Sequence, residues 1–262
     1  MVLERLISLK TAVRQPAWMF VIGALVSTVC LGVAFFVFQS AIGLFTTMLI
    51  TTAMMPFMVN LVRYEEAREE ETKEIEKMNI FQRHRGILKV YVAFFGGMIL
   101  SMSIIYILFP NALVEKIFND QVSEINTIRG NVLFVDNFEK IILNNSGVLV
   151  LSFVFSFLFG AGAVFILAWN ASVLAAAIGL AAKSIGGVKG LPLAILAYFP
   201  HGSLEILAYF IGAVAGGLVS TVIMRKKSPK FWFVINDSLQ LMLAAGILLI
   251  IAAVVESSVM ML

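Results

Sequence analysis

His201 and Glu205 stand four positions apart in the stretch LAYFPHGSLEILAYF, residues 196 to 210, which is otherwise apolar. A carboxyl group can take up and release a proton, and an imidazole titrates near neutral pH, so this pair could handle protons along a translocation path. An ionisable side chain at bilayer depth costs on the order of 2.5 to 3.5 kcal/mol, and it normally faces a protein interior or a water-filled cavity. The pair therefore predicts a polar site inside a membrane domain.

Other polar residues in apolar runs are candidates for the same site. The full set of candidates is Asn144, Asn145, Asn170, His201, Glu205 and Asp237. Two hypotheses account for them. They satisfy one another as a structural clasp, or they line a translocation path in which Glu205 carries a proton and His201 is its titrating neighbour.

Enzymatic motifs are absent from the sequence. It contains no HExxH, no GxSxG and no paired aspartate motif, and a zinc site made of His201 and Glu205 alone would lack ligands. Cys30 is the single cysteine and lies in an apolar run. We therefore predict a protein that is not an enzyme and that uses no metal and no cofactor.

The composition indicates whether this chain is a water-soluble protein or a membrane protein. Hydrophobic residues make up 60% of the 262 residues and charged residues 13%, with a mean hydropathy of +0.97. Soluble domains carry about 25% charged residues, so this is the composition of an integral membrane protein. Continuous apolar runs, in place of short alternating ones, predict an all-α polytopic bundle with six or seven crossings in one domain over residues 1–262. Its partners include membrane lipids and exclude nucleic acid, because the net charge of +3 is explained by basic loops.

The apolar runs place the spans at 17–38, 41–62, 87–109, 141–169, 171–183, 191–224 and 232–255. The segment 171–183 is short enough to be a thin crossing or a re-entrant half-helix. Pro200 lacks a backbone donor and disfavours helix at Phe199, which predicts a broken helix near Pro200–Gly202 and a new helix start near Ser203. Glu205 would then lie in the first turn of that new helix.

Small residues are concentrated in the second half of the chain. Close helix packing is predicted at Gly160, Gly162, Gly179, Gly202, Gly212 and Gly216. The small residues from Gly212 to Gly217 also suggest a homodimer contact.

Charge distribution predicts the orientation. Thirteen Lys and Arg residues flank one side of the predicted spans and five the other, which places the N-terminus in the cytoplasm of a multi-pass protein of the cell membrane. Residues 63–86 then form a cytoplasmic charged helix. Its 63–85 part is either a solvated spacer or a docking surface for a protein partner. Residues 110–140 form an extracytoplasmic loop, a lid or an interfacial strap, with Leu113, Ile117 and Val122 able to lie on the membrane surface.

Two stretches carry a family resemblance. NNSGVLVLSFVFSFLFGAGAVFILAWNASVLAAAIG, residues 144–179, followed by YFPHGSLEILAYFIGAVAGG, residues 198–217, resembles the stage II sporulation protein M family in its archaeal form. The family core covers residues 141–224. The resemblance implies the membrane architecture and the importance of the Asn, His-Gly and Glu positions, and it implies no catalytic activity. Bacterial members are implied to act in forespore engulfment with cell-wall-remodelling proteins.

These observations give two functional hypotheses. The first is a scaffold or subunit of a membrane-remodelling or envelope complex. The alternative is a transporter or channel-like protein that uses the intramembrane His201 and Glu205.

Overall fold

A computed structural model describes residues 7–71, 78–130, 137–160, 162–224 and 231–260. Within these ranges the chain forms ten α-helices, one short 3-10 turn at Gly187–Gly190 and no strand. The helices in chain order are α1 (Leu9–Arg14), α2 (Ala17–Val37), α3 (Ile42–Glu71), α4 (Ile80–Leu108), α5 (Asn111–Ile117), α6 (Asn119–Gly130), α7 (Asn137–Phe159), α8 (Ala163–Ile185), α9 (Leu191–Met224) and α10 (Phe231–Met260).

Seven of these helices are long and apolar enough to cross a membrane: α2, α3, α4, α7, α8, α9 and α10. The predicted all-α polytopic bundle is confirmed. The predicted boundary between the fourth and fifth spans was wrong, because the chain turns at Gly160, which has a φ of +74° that favours glycine. The fifth span is therefore α8, with 23 residues and a length of roughly 35 Å, enough to cross the bilayer completely.

The predicted break at Pro200 is absent. Helix α9 runs without interruption from Leu191 to Met224 with Pro200 inside it, so the predicted helix start near Ser203 was wrong. Membrane helices tolerate proline where neighbouring groups satisfy the freed backbone carbonyl. In a continuous helix, residues four apart share a face, so His201 and Glu205 lie one turn apart on the same side of α9.

Helix α9 is the centre of the bundle and packs against α7, α8 and α10, while α2 packs on α4 and α4 on α8. Most of α9 is buried, whereas α2, α7 and α10 expose much of their length. The exposed face of α10 is an apolar stripe with Leu239, Leu243, Ile247 and Val254 at helical spacing. An apolar stripe on the outside of the bundle is the surface that lipid chains cover.

We call the two ends of the bundle the N-side, where α2, α4 and α10 begin, and the far side, where α3, α7 and α9 begin. On the far side, residues 111–130 form α5 and α6, which pack on the bundle. Gln121 donates a hydrogen bond to Ser172 of α8 (3.2 Å), and Asp120 accepts one from the backbone of Leu44 (3.1 Å). Ile117 is in the core and not on the membrane surface as predicted.

The predicted helix over 63–86 is divided between two elements. Helix α3 continues past its membrane span to Glu71, and α4 begins at Ile80, where the side chain of Asn79 accepts a hydrogen bond from the backbone of Gln82 (2.9 Å). Residues 80–86 therefore belong to the third span. Residues 72–77 and 131–136 lie outside the described part of the chain.

Candidate functional site

A polar cluster joins α7 to α9 inside the spans. The Asn145 side chain donates a hydrogen bond from Nδ2 to Oε1 of Glu205 (2.5 Å) and accepts one at Oδ1 from the hydroxyl of Tyr209 (2.9 Å). Asn144 donates a further hydrogen bond to the same Oδ1 atom (3.2 Å). Asn145 and Tyr209 are buried, so α7 and α9 are tied together by hydrogen bonds that lipid cannot replace.

Helix α10 adds a second carboxyl group to this cluster. The side chain of Glu256 lies close enough to interact with that of Glu205, and it also interacts electrostatically with His201. We call Asn145, His201, Glu205, Tyr209 and Glu256 the carboxyl cluster.

Two glycines of α9 allow α7 and α9 to pack closely on the N-side of this cluster. A Cβ atom at Gly216 would overlap the backbone carbonyl of Phe153, and one at Gly212 would overlap the side chain of Leu149. Helix α7 thus covers the Gly212–Gly216 face within a single chain. This face is not available to a second copy, and the homodimer prediction loses the surface on which it was based.

The other predicted packing glycines have separate environments. A Cβ atom at Gly179 would lie 2.6 Å from Cβ of Tyr106, so this glycine lets α8 approach α4, whereas one at Gly202 would make ordinary contact with Leu174. Gly160 and Gly162 are in the turn between α7 and α8 and not in mid-span as predicted.

The close packing of α2 against α4 was not predicted from the sequence. A Cβ atom at Gly23 would overlap the carbonyl of Phe94, and one at Gly97 would overlap the carbonyl of Phe20. These two glycines let the backbones of α2 and α4 touch.

Gly216→Ala is expected to lower the free energy of unfolding by about 1 to 3 kcal/mol, because the added methyl group must push α7 away from α9. Gly246→Ala on α10 is the matched control, since a Cβ atom there would meet nothing within 4 Å. Unfolding in mixed micelles of increasing sodium dodecyl sulfate, followed by circular dichroism, measures both. Equal midpoints for the two variants would contradict the close packing.

A second buried group of charges lies on the N-side. Arg83 of α4 forms an ion pair with Asp237 of α10, with 2.8 Å between Nη2 and Oδ1, and the guanidinium stacks on the ring of Phe233 at 4.8 Å. Nε2 of His84 is 3.4 Å from the other carboxylate oxygen. The side chains of Arg83 and Asp237 are 8% and 2% exposed, so the pair is screened from water.

Glu65 of α3 is buried at the same end of the bundle. A Cβ atom at Gly86 would lie 3.1 Å from Oε1 of Glu65, so this glycine lets the carboxyl group approach α4. Helices α3, α4 and α10 therefore each place an ionisable side chain in the interior of the N-side.

The structure separates two predicted members from the carboxyl cluster. Asp237 was predicted beside His201 and Glu205, but it pairs with Arg83. Ser238, the residue after Asp237, donates a hydrogen bond to the backbone carbonyl of Ala215 on α9 (2.9 Å). Ala215 is ten residues, or roughly 15 Å of helix, from Glu205, so Asp237 lies far from the carboxyl cluster. Asn170 donates to the carbonyl of Ile166 within its own helix (2.8 Å).

Glu256 and the buried Arg83 and His84 were missed by sequence reasoning. Among the residues that the structure describes, no group of three His, Cys, Asp or Glu side chains is placed to hold a metal ion.

The fold and these sites define a multi-pass helical membrane protein with a polar, carboxyl-bearing core. A sequence model of the family Stage II sporulation protein M matches residues 115–259, which is more than half of the chain. The chain belongs to this family. No curated protein and no solved structure gave a match.

Proposed function

We propose that the protein is a non-catalytic subunit of a membrane-remodelling or envelope complex. Membership of the stage II sporulation protein M family supports this role, together with the predicted orientation that puts the N-side in the cytoplasm. The proposal needs a part of the chain that is free to bind another protein.

The observation that carries the proposal is the length of α3. Its membrane span ends at Glu65, but the helix continues to Glu71, so six more residues extend the helix beyond the span by roughly 9 Å. A helix that is anchored in the bundle and continues outside the membrane is a rigid support for a partner.

Within the predicted docking segment 63–85, we place the contact with the partner in the charged stretch 66–77. Glu65, Arg83 and His84 are buried in the bundle and cannot contact a partner. Residues 66–77 have the sequence EAREEETKEIEK, in which six acidic and three basic residues leave a net charge of −3. We infer that the partner offers a basic surface.

Neutralising three acids of this segment is expected to release the partner. In this variant, glutamine replaces Glu69, Glu70 and Glu74. Exposed charge pairs contribute about 0.5 kcal/mol each, so losing three should weaken binding about tenfold. The tagged protein is purified from its own membranes in mild detergent, and the proteins that accompany it are quantified by mass spectrometry.

The matched control removes three acids from the far side, namely Glu115, Glu124 and Glu139. It should retain partners at the wild-type level. Equal recovery from the two variants would contradict docking at residues 66–77, and a wild-type protein that purifies without stoichiometric partners would contradict the subunit role.

A second candidate function is proton-coupled transport through the carboxyl cluster. The observation that favours it is that the carboxyl groups of Glu205 on α9 and Glu256 on α10 lie beside each other and beside His201 inside the spans. Its test is proton flux through a Glu205→Gln variant.

A further inference from the structure

A groove opens to the membrane between α2 and α4 on the N-side. It has a volume of about 850 Å³, within the usual range for ligand pockets. One wall is formed by Pro16, which precedes α2, and by Ala17, Phe20 and Val21 of α2. The other wall is formed by Phe81, Arg85, Leu88, Lys89, Val92 and Ala93 of α4.

The lining from α4 repeats at intervals of three and four residues, so these side chains form one continuous face of the helix. The inner part of this face, around Val92 and Ala93, is apolar. The outer part carries two cations, Arg85 and Lys89, which are one turn apart and exposed. None of the described residues that line the groove is acidic.

The two cations are not paired with any other side chain in the described part of the chain. Among the described residues, neither Arg85 nor Lys89 forms a salt bridge or a hydrogen bond with another side chain, in contrast to the buried Arg83 of the same helix. Two exposed positive charges at the mouth of an apolar groove match a ligand with an anionic head and an apolar tail.

The level of the groove in the bilayer fits such a ligand. Trp18 at the start of α2 is exposed, and tryptophan at a span end is typical of the membrane interface. Phe20 and Val21, immediately after it, line the apolar part of the groove. The cations therefore lie near the headgroups, and the apolar part lies beside the acyl chains.

We propose that this groove is a binding site for an anionic phospholipid, whose phosphate contacts Arg85 and Lys89 and whose acyl chain lies against Phe20 and Val92. A guanidinium can bind a phosphate through two parallel hydrogen bonds, and an ammonium adds a point charge. Any lipid covers the outside of the bundle, but this site selects the anionic headgroup.

The test is native mass spectrometry of the protein in detergent with an equimolar mixture of dioleoyl phosphatidylglycerol and dioleoyl phosphatidylcholine. The wild type should retain phosphatidylglycerol in preference to phosphatidylcholine. Since each cation near an anionic headgroup contributes about a fivefold factor in binding, the double variant Arg85→Gln/Lys89→Gln should lower the ratio of the two bound lipids about ten- to thirtyfold. Circular dichroism confirms that the variants are folded.

Two further variants keep the proposal open to refutation. Lys116→Gln/Lys189→Gln removes the same charge from exposed residues on the far side and should leave the ratio within about twofold of the wild type. Val92→Trp fills the groove without changing the charge and should reduce retained phosphatidylglycerol. An unchanged ratio in the Arg85 and Lys89 variant, an equal fall in the far-side control, or full retention by Val92→Trp would each overturn the proposal.

Discussion

Replacing Asp237 with alanine is expected to lower the free energy of unfolding by about 3 to 5 kcal/mol, the largest effect on stability that we expect from a single substitution. The variant leaves the Arg83 guanidinium, whose side chain is 8% exposed, without its carboxylate. A buried charge without a partner is far less stable than the same charge in a hydrogen-bonded pair. Unfolding in sodium dodecyl sulfate mixed micelles measures the loss.

The double variant Arg83→Met/Asp237→Leu identifies the cause. It removes both charges together, so it should recover most of the stability, because an apolar pair of similar volume can replace a buried ion pair. Glu115→Ala, which removes an exposed acid, should have almost no effect. A loss below about 1 kcal/mol for Asp237→Ala would mean that water reaches the pair.

Glu205→Gln is expected to have the largest effect on function if the carboxyl cluster carries protons. An amide cannot take up and release a proton, so flux should fall by about a hundredfold or more. A potassium diffusion potential across liposomes that contain the protein drives protons inward, and an entrapped pH-sensitive dye records their entry. Glu115→Gln is the control, since the same change at an exposed position should leave the flux unchanged.

The same variant separates transport from a purely structural clasp. The glutamine oxygen can still accept from Asn145, and its amide can donate to Glu256. The free energy of unfolding of the variant should therefore lie within about 1 to 2 kcal/mol of the wild-type value. A wild type that conducts no more protons than protein-free liposomes would rule out proton transport and leave the clasp. A folded Glu205→Gln variant with full flux would also rule out transport through this cluster.

The sequence predicted the class of fold because each membrane span is a long apolar run. It misplaced the boundary between α7 and α8, because residues 146 to 169 contain no charged residue to mark a turn and the left-handed φ of Gly160 has no signature in hydropathy. It also overstated the effect of Pro200. In a membrane helix, neighbouring side chains and helices can satisfy the carbonyl group that proline leaves free.

The site was predictable where a polar residue is unusual in its own run. Asn145 and Glu205 met this condition, and the structure places them in hydrogen-bond contact. Glu256 did not, because an acid near the end of the last apolar run is indistinguishable from a solvated flank. Arg83 and His84 adjoin a segment of dense charge and were assigned to water, so their burial against α10 depended on tertiary packing that composition does not encode.

The turn between α7 and α8 has a consequence for biosynthesis. Phe159 ends α7 and Ala163 begins α8, so only three residues connect two complete spans. Such a short connection leaves no loop in which a nascent chain could pause after inserting α7 alone. We therefore expect α7 and α8 to leave the translocation machinery together as one helical hairpin, before α9 supplies Glu205 and Tyr209 as the hydrogen-bond partners of Asn145.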